Sequence, residues 1–173
     1  PLDDPFTAID RELEACRLKR DADAILVDFH GEATSEKQSM AHFLDGRVSV
    51  LVGTHTHVPT ADHQVLPGGT AFQSDAGMTG DYDSVIGMNK AVSLQRFRSH
   101  VPGPRNTPAL GEATLCAVYL ETDDRTGLAS RIENIEKAIA EHLARHPALA
   151  AAERLLRSIP CLGAVTAVTL LAH

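Results

Sequence analysis

The run Gly53-Thr54-His55-Thr56-His57-Val58 follows the apolar stretch Val48 to Val52, so two imidazoles stand two residues apart where a strand meets solvent. In an extended chain the side chains alternate faces, and residues i and i+2 point the same way. Neutral imidazole is the commonest protein ligand of transition metals, so such a pair can be delivered together to one cation. A second segment has the same form: Ile25-Leu26-Val27-Asp28-Phe29-His30 is an apolar strand ending in a histidine, followed by Gly31 and Glu32. His30, His55 and His57 are therefore the candidate metal ligands. A single strand-end histidine is more often simply solvated or hydrogen-bonded. The three together are harder to read as core, because a small polar Gly-Thr-His-Thr-His stretch fills little volume and charging a buried imidazole costs free energy unless it is paired. Asp75, which opens the loop Ala76-Gly77-Met78-Thr79-Gly80, reads either as a further ligand or supporting carboxylate or as a turn former.

These residues need elements to position them. Phe6, Ile9, Leu13, Cys16 and Leu18 recur among charges at near-helical spacing, which predicts an amphipathic helix from Phe6 to Arg20 leading into a strand at 25–29. Thr34 or Ser35 can cap a helix carrying Met40, Phe43 and Leu44 on one face and ending near Gly46, before a second strand at 48–54. Consecutive apolar strands joined by such a helix usually lie parallel, with ligands gathering at their carboxyl ends, where His30 and His55 both stand. Pro59 to Gly69 is turn-rich, Thr70 to Asp75 reads as a short strand, and three small-residue loops could surround one pocket. Ser84 to Arg96 is expected to be helical with Val85, Ile86, Met88, Val92 and Leu94 partly buried. Residues 99–111, with Pro102, Pro104 and Pro108, are expected to form a loop. Glu112 to Glu121 predicts a strand apolar on both faces, and Asp123-Asp124-Arg125-Thr126-Gly127 a turn into a last strand from Ala129 to Ile135.

Composition bounds the rest. The 173 residues, 43% hydrophobic and 23% charged, suit a globular chain with one good core and a small appendage. No apolar run approaches the roughly 20 residues needed to cross a bilayer, so no membrane partner is expected. The net charge of -7 argues against general nucleic-acid affinity, although a metal site could still attract a phosphate locally. Cys16, Cys116 and Cys161 are far apart and without a CxxC spacing, which suggests neither a disulfide framework nor a thiolate zinc site and makes a reducing, cytoplasmic setting the default. The chain lacks an initiating Met and reads as a fragment of something longer.

Four segments carry a family resemblance. Asp28-Phe29-His30-Gly31-Glu32-Ala33-Thr34-Ser35-Glu36-Lys37, Leu44-Asp45-Gly46-Arg47-Val48-Ser49, Gly53-Thr54-His55-Thr56-His57-Val58-Pro59-Thr60-Ala61-Asp62 and Asp75-Ala76-Gly77-Met78-Thr79-Gly80 resemble the YmdB-type bacterial metallophosphoesterases of the calcineurin-like superfamily, over roughly residues 1–135. The resemblance implies an α/β fold, part of a four-layer α/β/β/α sandwich, and hydrolysis of cyclic nucleotide phosphodiesters such as 2′,3′-cyclic nucleotides. It implies a divalent transition metal cofactor, two ions in the family, with Fe or Mn expected. By motif, His30 and His55 would bind one metal and His57 the other, with Thr54, Thr56, Asp75, Gly77 and Thr79 on the side of a small phosphodiester substrate. The family's first-strand Gly-Asp ligand, its Glu-Asn pair and its Asn-His proton donor do not occur here. This predicts the carboxyl-terminal half of such an enzyme, with the catalytic acid unassigned and activity of the chain by itself in doubt. A second copy of the chain is left open as a partner.

From Glu136 onward alanine becomes frequent, aromatics vanish and four basic groups face three acidic ones. Pro147 to Arg157 predicts a helix, Ile159-Pro160-Cys161-Leu162-Gly163 a tight hairpin and Ala164 to Ala172 a second helix, a helical appendage over residues 136–173. Leu155 to Ala167 resembles the carboxyl-terminal domain of IS110/IS116-type transposases, which carry Gly where Cys161 stands. That implies a second function class, a transposase-derived DNA-binding remnant fused to a passenger phosphoesterase segment. DNA contact by the tail is the weaker reading against a helical pair that packs on the body or hangs loose.

Overall fold

Leu26–His30 (β1) and Val50–Thr54 (β2) pair in parallel in the computed structural model, which describes residues 4–99 and 103–138. The described residues fall into two compact units: those up to Gly77 together with Val118–Asn134, and Met78–Ala117 together with those from Ile135.

In the first unit, helix α1 (Pro5–Ala15) opens on Asp4, whose carboxylate accepts from the Phe6 and Thr7 backbone N–H groups at 3.2 and 3.1 Å, with Pro5 in its first turn. The helix stops five residues before the expected Arg20. Asp21 accepts from the Arg17 N–H at 2.8 Å, and Lys19, at φ 63°, turns the chain. Helix α2 (Thr34–Phe43) begins without a side-chain cap: Thr34 is its first residue rather than its cap, and Ala33 precedes it. Glu36 in the first turn complements the helix dipole instead. Beyond α2, Gly46 at φ 81° makes the turn a side chain would strain, its N–H donating to Thr70 Oγ1 at 2.9 Å.

The first sheet runs β1-β2-β4-β3, with β4 (Ala71–Gln73) parallel to β2 and the edge strand β3 (Gln64–Val65) antiparallel to β4. The parallel crossover expected from the sequence is present, and register places His30 opposite Thr54. Residues Val50 to Gly53 are all buried because both faces of the sheet are covered. Leu51 and Phe72 pack with Leu13 of α1 and with Met40, Ala41 and Leu44 at α2. On the opposite face Val50, Val52 and Ala71 pack with Ile132, Val118, Leu120 and Ala129. The described residues of this unit thus make three layers, helices, sheet and sheet. Phe43, expected with Met40 and Leu44, is instead 37% exposed and meets Phe6 edge-to-face at 5.3 Å between centroids.

β6 (Ala113–Thr122) begins in the second unit and ends in the first. The turn after it closes with the Asp123 N–H on the Leu128 carbonyl at 2.9 Å, and β7 (Ala129–Ala138) runs longer than the 129–135 expected. In the second unit β5 (Gly80–Asp81) pairs antiparallel with the start of β6. The helix expected over 84–96 forms only in its second half. Ile86 at φ 49° and Gly87 at φ 87° form a turn closed by reciprocal Val85–Met88 backbone bonds of 2.9 Å, and α3 (Lys90–Ser99) begins only after Asn89, whose side chain accepts from the Ala91 N–H at 2.9 Å. Of α3, Ser93 is buried while Leu94 and Phe97 are exposed. Among the described residues no helix is long and apolar enough to cross a membrane. The appendage expected over 136–173, its hairpin and Cys161, lies outside the described residues except for the end of β7.

Candidate active site

Parallel pairing brings the carboxyl ends of β1 and β2 side by side, and the polar residues gather there. His30 closes β1, Thr54 closes β2, and His55 is the next residue. The imidazoles of His30 and His55 meet with centroids 5.2 Å apart, His30 Nε2 lying 3.3 Å from His55 Nδ1. On its other side His30 Nδ1 lies 3.0 Å from Thr54 Oγ1, and that hydroxyl donates to Asp28 Oδ1 at 3.3 Å. Asp28, His30 and His55 are exposed, so a ligand can reach them. Asp28 was not singled out from the sequence, although it sits two residues before His30 on the same face of the strand, a signal of the kind that paired His55 with His57.

A second group lies beneath the following turn. The Lys37 ammonium of α2 and the Asp75 carboxylate are 3.8 Å apart, each side chain 1% exposed. Asp75 Oδ2 accepts from the Thr56 N–H at 2.7 Å and its Oδ1 from the Gly77 N–H at 2.9 Å. It ties the His-Thr-His turn to the Gly77 loop from below. The Thr60 hydroxyl accepts from the Asp75 N–H at 2.9 Å, and Gln73 Nε2 donates to the carbonyls of Asp75 and Thr60 at 2.8 and 3.1 Å. Asp62 closes the same loop by accepting from the Ser74 N–H at 3.2 Å and from the Ser74 hydroxyl. Burial alone would raise the Asp62 carboxyl, but hydrogen bonds from Ser74 and Thr60 outweigh it and hold the group below the usual carboxylate range. Lys37 has no sequence signal, standing beside Glu36 in a polar helix. Its burial follows from the partner that the loop after β4 supplies.

His57 is exposed and sits at φ 66°, and His55 at φ 156°, so both residues of the pair have positive φ. A non-glycine residue in the left-handed region costs on the order of 1–3 kcal/mol, and the Asp75–Thr56 bond holds the turn that contains His57. Thr56 Oγ1 donates to the Val58 carbonyl at 3.0 Å. Thr79 falls in the second unit, where its hydroxyl donates to the Cys116 carbonyl at 3.5 Å. Of the sequence-derived set, the structure therefore brings His30, His55 and Thr54 together and places Thr56, Asp75 and Gly77 in one hydrogen-bonded turn.

The donor set can be tested against a metal ion. Two nitrogens each about 2.1 Å from a tetrahedral ion stand about 3.4 Å apart, and His30 Nε2 and His55 Nδ1 are 3.3 Å apart. This pair fits two positions on one ion. Among the described residues no group of three or more His, Cys, Asp or Glu side chains converges as a metal site.

Residues 1–135 match the YmdB-like protein family. The chain is 50% identical over 135 residues to the 2′,3′-cyclic-nucleotide 2′-phosphodiesterase of Bacillus subtilis (strain 168), covering 78% of this chain and 50% of that protein. Among solved structures, a hypothetical protein from Thermus thermophilus is 46% identical with a TM-score of 0.70, over 80% of this chain and 52% of that one. A novel phosphatase from Mycoplasma pneumoniae is 36% identical with a TM-score of 0.69, over 78% and 47%. The chain spans about half the length of these relatives. By the extent of the match and by the shared fold, the chain belongs to the YmdB-like protein family.

Proposed function

We propose that this chain carries the carboxyl-terminal part of the site of a metal-dependent phosphodiesterase acting on small cyclic nucleotides of the 2′,3′ type. The observation that supports it is the contact of His30 and His55 at the carboxyl ends of two parallel strands, in a chain that is 50% identical over 135 residues to a protein named as a 2′,3′-cyclic-nucleotide 2′-phosphodiesterase. His30 and His55 would hold one divalent transition metal, Fe or Mn, and His57 would serve a second. A bound cation of this kind neutralises phosphoryl charge and lowers the pKa of a coordinated water. The chain's own residues do the rest of the work assigned to them: Thr54 orients His30, and the turn Thr56–His57, pinned by Asp75, presents backbone groups and hydroxyls at the phosphate side. Thr54, Thr56 and Gly77 are the substrate-side residues of this reading, with Asp75 acting through the loops it ties. The four-layer sandwich, completed by a further half of the family fold, and a cytoplasmic setting belong to the same proposal.

The test is elemental analysis of the purified chain after loading with Mn²⁺ or Fe²⁺, with hydrolysis of a 2′,3′-cyclic nucleotide followed in parallel. Bound metal that disappears in His30→Ala and His55→Ala supports the reading. Equal metal content in wild type and both variants sinks it.

A further inference from the structure

We propose that Asp28 and Thr54 fix the tautomer of His30, placing its proton on Nδ1 and leaving the Nε2 electron pair facing His55. The inference deepens the metal reading above and rests on it only for the use to which Nε2 is put. An ionised carboxylate accepts hydrogen bonds and cannot donate, and a threonine hydroxyl has one proton. Thr54 Oγ1 lies 3.3 Å from Asp28 Oδ1 and 3.0 Å from His30 Nδ1, so only one neighbour receives that proton. The charged acceptor is the stronger, and the hydroxyl donates to Asp28. Oγ1 is then an acceptor toward His30, which must hold its proton on Nδ1. A neutral imidazole has one N–H, so His30 Nε2 carries the lone pair, and His55 Nδ1–H donates to it across 3.3 Å.

Three bonds then run in one sense, from His55 through His30 and Thr54 to Asp28, and each polarises the next. Strand register sets them up: Asp28 and His30 share one face of β1, and Thr54 stands directly across from His30. The consequence is chemical. His30 Nε2 is held as a ligand nitrogen without a change of its own tautomer, while Nδ1 is held by the protein; His55 joins the same ion through Nδ1 only when the proton it donates to His30 moves to its own Nε2. Asp28 and Thr54 are positioning residues, acting through His30.

The experiment is long-range proton–nitrogen NMR on the full metal-free chain labelled with ¹⁵N-histidine, at a pH of about 8.5 where imidazoles are neutral. The His30 signals are assigned by their loss in His30→Gln. The expected result is a His30 proton on Nδ1 in wild type and in Thr54→Ser, and a shift toward Nε2–H in Thr54→Val. Asp28→Asn should shift it too, because the amide can donate to Oγ1 and release the hydroxyl to donate to the ring. Zn²⁺ affinity should fall roughly ten- to hundredfold in Thr54→Val and return in Thr54→Ser. A wild-type His30 protonated on Nε2, a Thr54→Val chain that keeps Nδ1–H, or unchanged Zn²⁺ affinity in that variant overturns the proposal. A chain with Nδ1–H on His30 that takes up no Zn²⁺ upholds the tautomer assignment and overturns the metal reading alone.

Discussion

Two polar groups flank the turn after β2, and they are built on opposite principles. Asp28, Thr54, His30 and His55 stand at the strand ends within reach of solvent, joined by single hydrogen bonds of 3.0–3.3 Å. Lys37 and Asp75 lie beneath, each side chain 1% exposed, with both carboxylate oxygens engaged by backbone N–H groups of the turn and the next loop. Exposed groups can exchange partners with a ligand at little cost. Buried charges cannot, because their desolvation is compensated only by the partners they already have. The lower group therefore holds the shape that the upper one uses, and disrupting each should have a different signature: stability below, ligand binding above.

The largest effect is expected from splitting the buried pair. Lys37→Met or Asp75→Ala leaves an uncompensated charge in the interior, a loss of about 3–5 kcal/mol of unfolding free energy. Urea unfolding followed by circular dichroism checks this. The pair Lys37→Met with Asp75→Asn should lose markedly less than the sum of its single changes, since each removes the reason for the other's cost. Additive losses would mean that the two side chains do not act as a unit.

Two glycines sharpen the contrast. A Cβ on Gly53 would lie 2.0 Å from the Ser74 carbonyl oxygen and 2.7 Å from Lys37 Cδ, so the strand and the ion pair beside it must move. On Gly31, next to His30, the nearest atom is Phe29 Cε1 at 3.5 Å, an ordinary contact. Gly53→Ala should cost at least about 1–3 kcal/mol, and Gly31→Ala no more than about 0.5 kcal/mol. Melting temperatures of the two variants side by side decide it, and equal shifts would show that the two layers are not distinct.

This division also explains what could be read from sequence. Alternation along a strand and an apolar run ending in histidine were enough to place His30 and His55 at neighbouring strand ends, because both signals are local and the βαβ crossover has a strong preferred geometry. The same alternation could have added Asp28. Lys37 was out of reach: a lysine in a polar helix looks solvated, and its partner lies 38 residues away on another element. Asp75 as a turn former was half of its role, since it does accept from Gly77 two residues on, but its burial depends on the sheet. The helix expected over 84–96 starts six residues late for a backbone reason, with apolar Val85, Ile86 and Met88 suggesting helical spacing while Gly87 permits the turn that precedes α3.

Asp62 gives a smaller, pH-dependent effect on the lower side. Its carboxyl is held below the usual range in the fold, so the charged form is favoured there. Its contribution is complete above the unfolded-state value of about 3.9 and is lost as pH falls through the lower folded value. The difference in urea midpoint between wild type and Asp62→Asn should be constant near neutrality and shrink below about pH 4. A difference that persists unchanged into acid would place the effect in packing.

The smallest stability change should come from the residues with the most chemistry. His30 and His55 are exposed and contribute no side chain to either core cluster, so His30→Ala and His55→Ala should each shift unfolding by no more than about 0.5 kcal/mol. The strain at this turn reinforces the expectation, since the positive φ of His55 and His57 is a feature that packing does not ask for. Retained Mn²⁺ or Zn²⁺, measured by elemental analysis after dialysis, should nevertheless be lost in both variants. His57→Ala separates the two halves of the idea, because among the described residues no group of three such side chains converges as a metal site. If it leaves the first ion in place, the His30–His55 contact is a site by itself; if it removes all metal, the turn has to close further than it does here for any ion to stay.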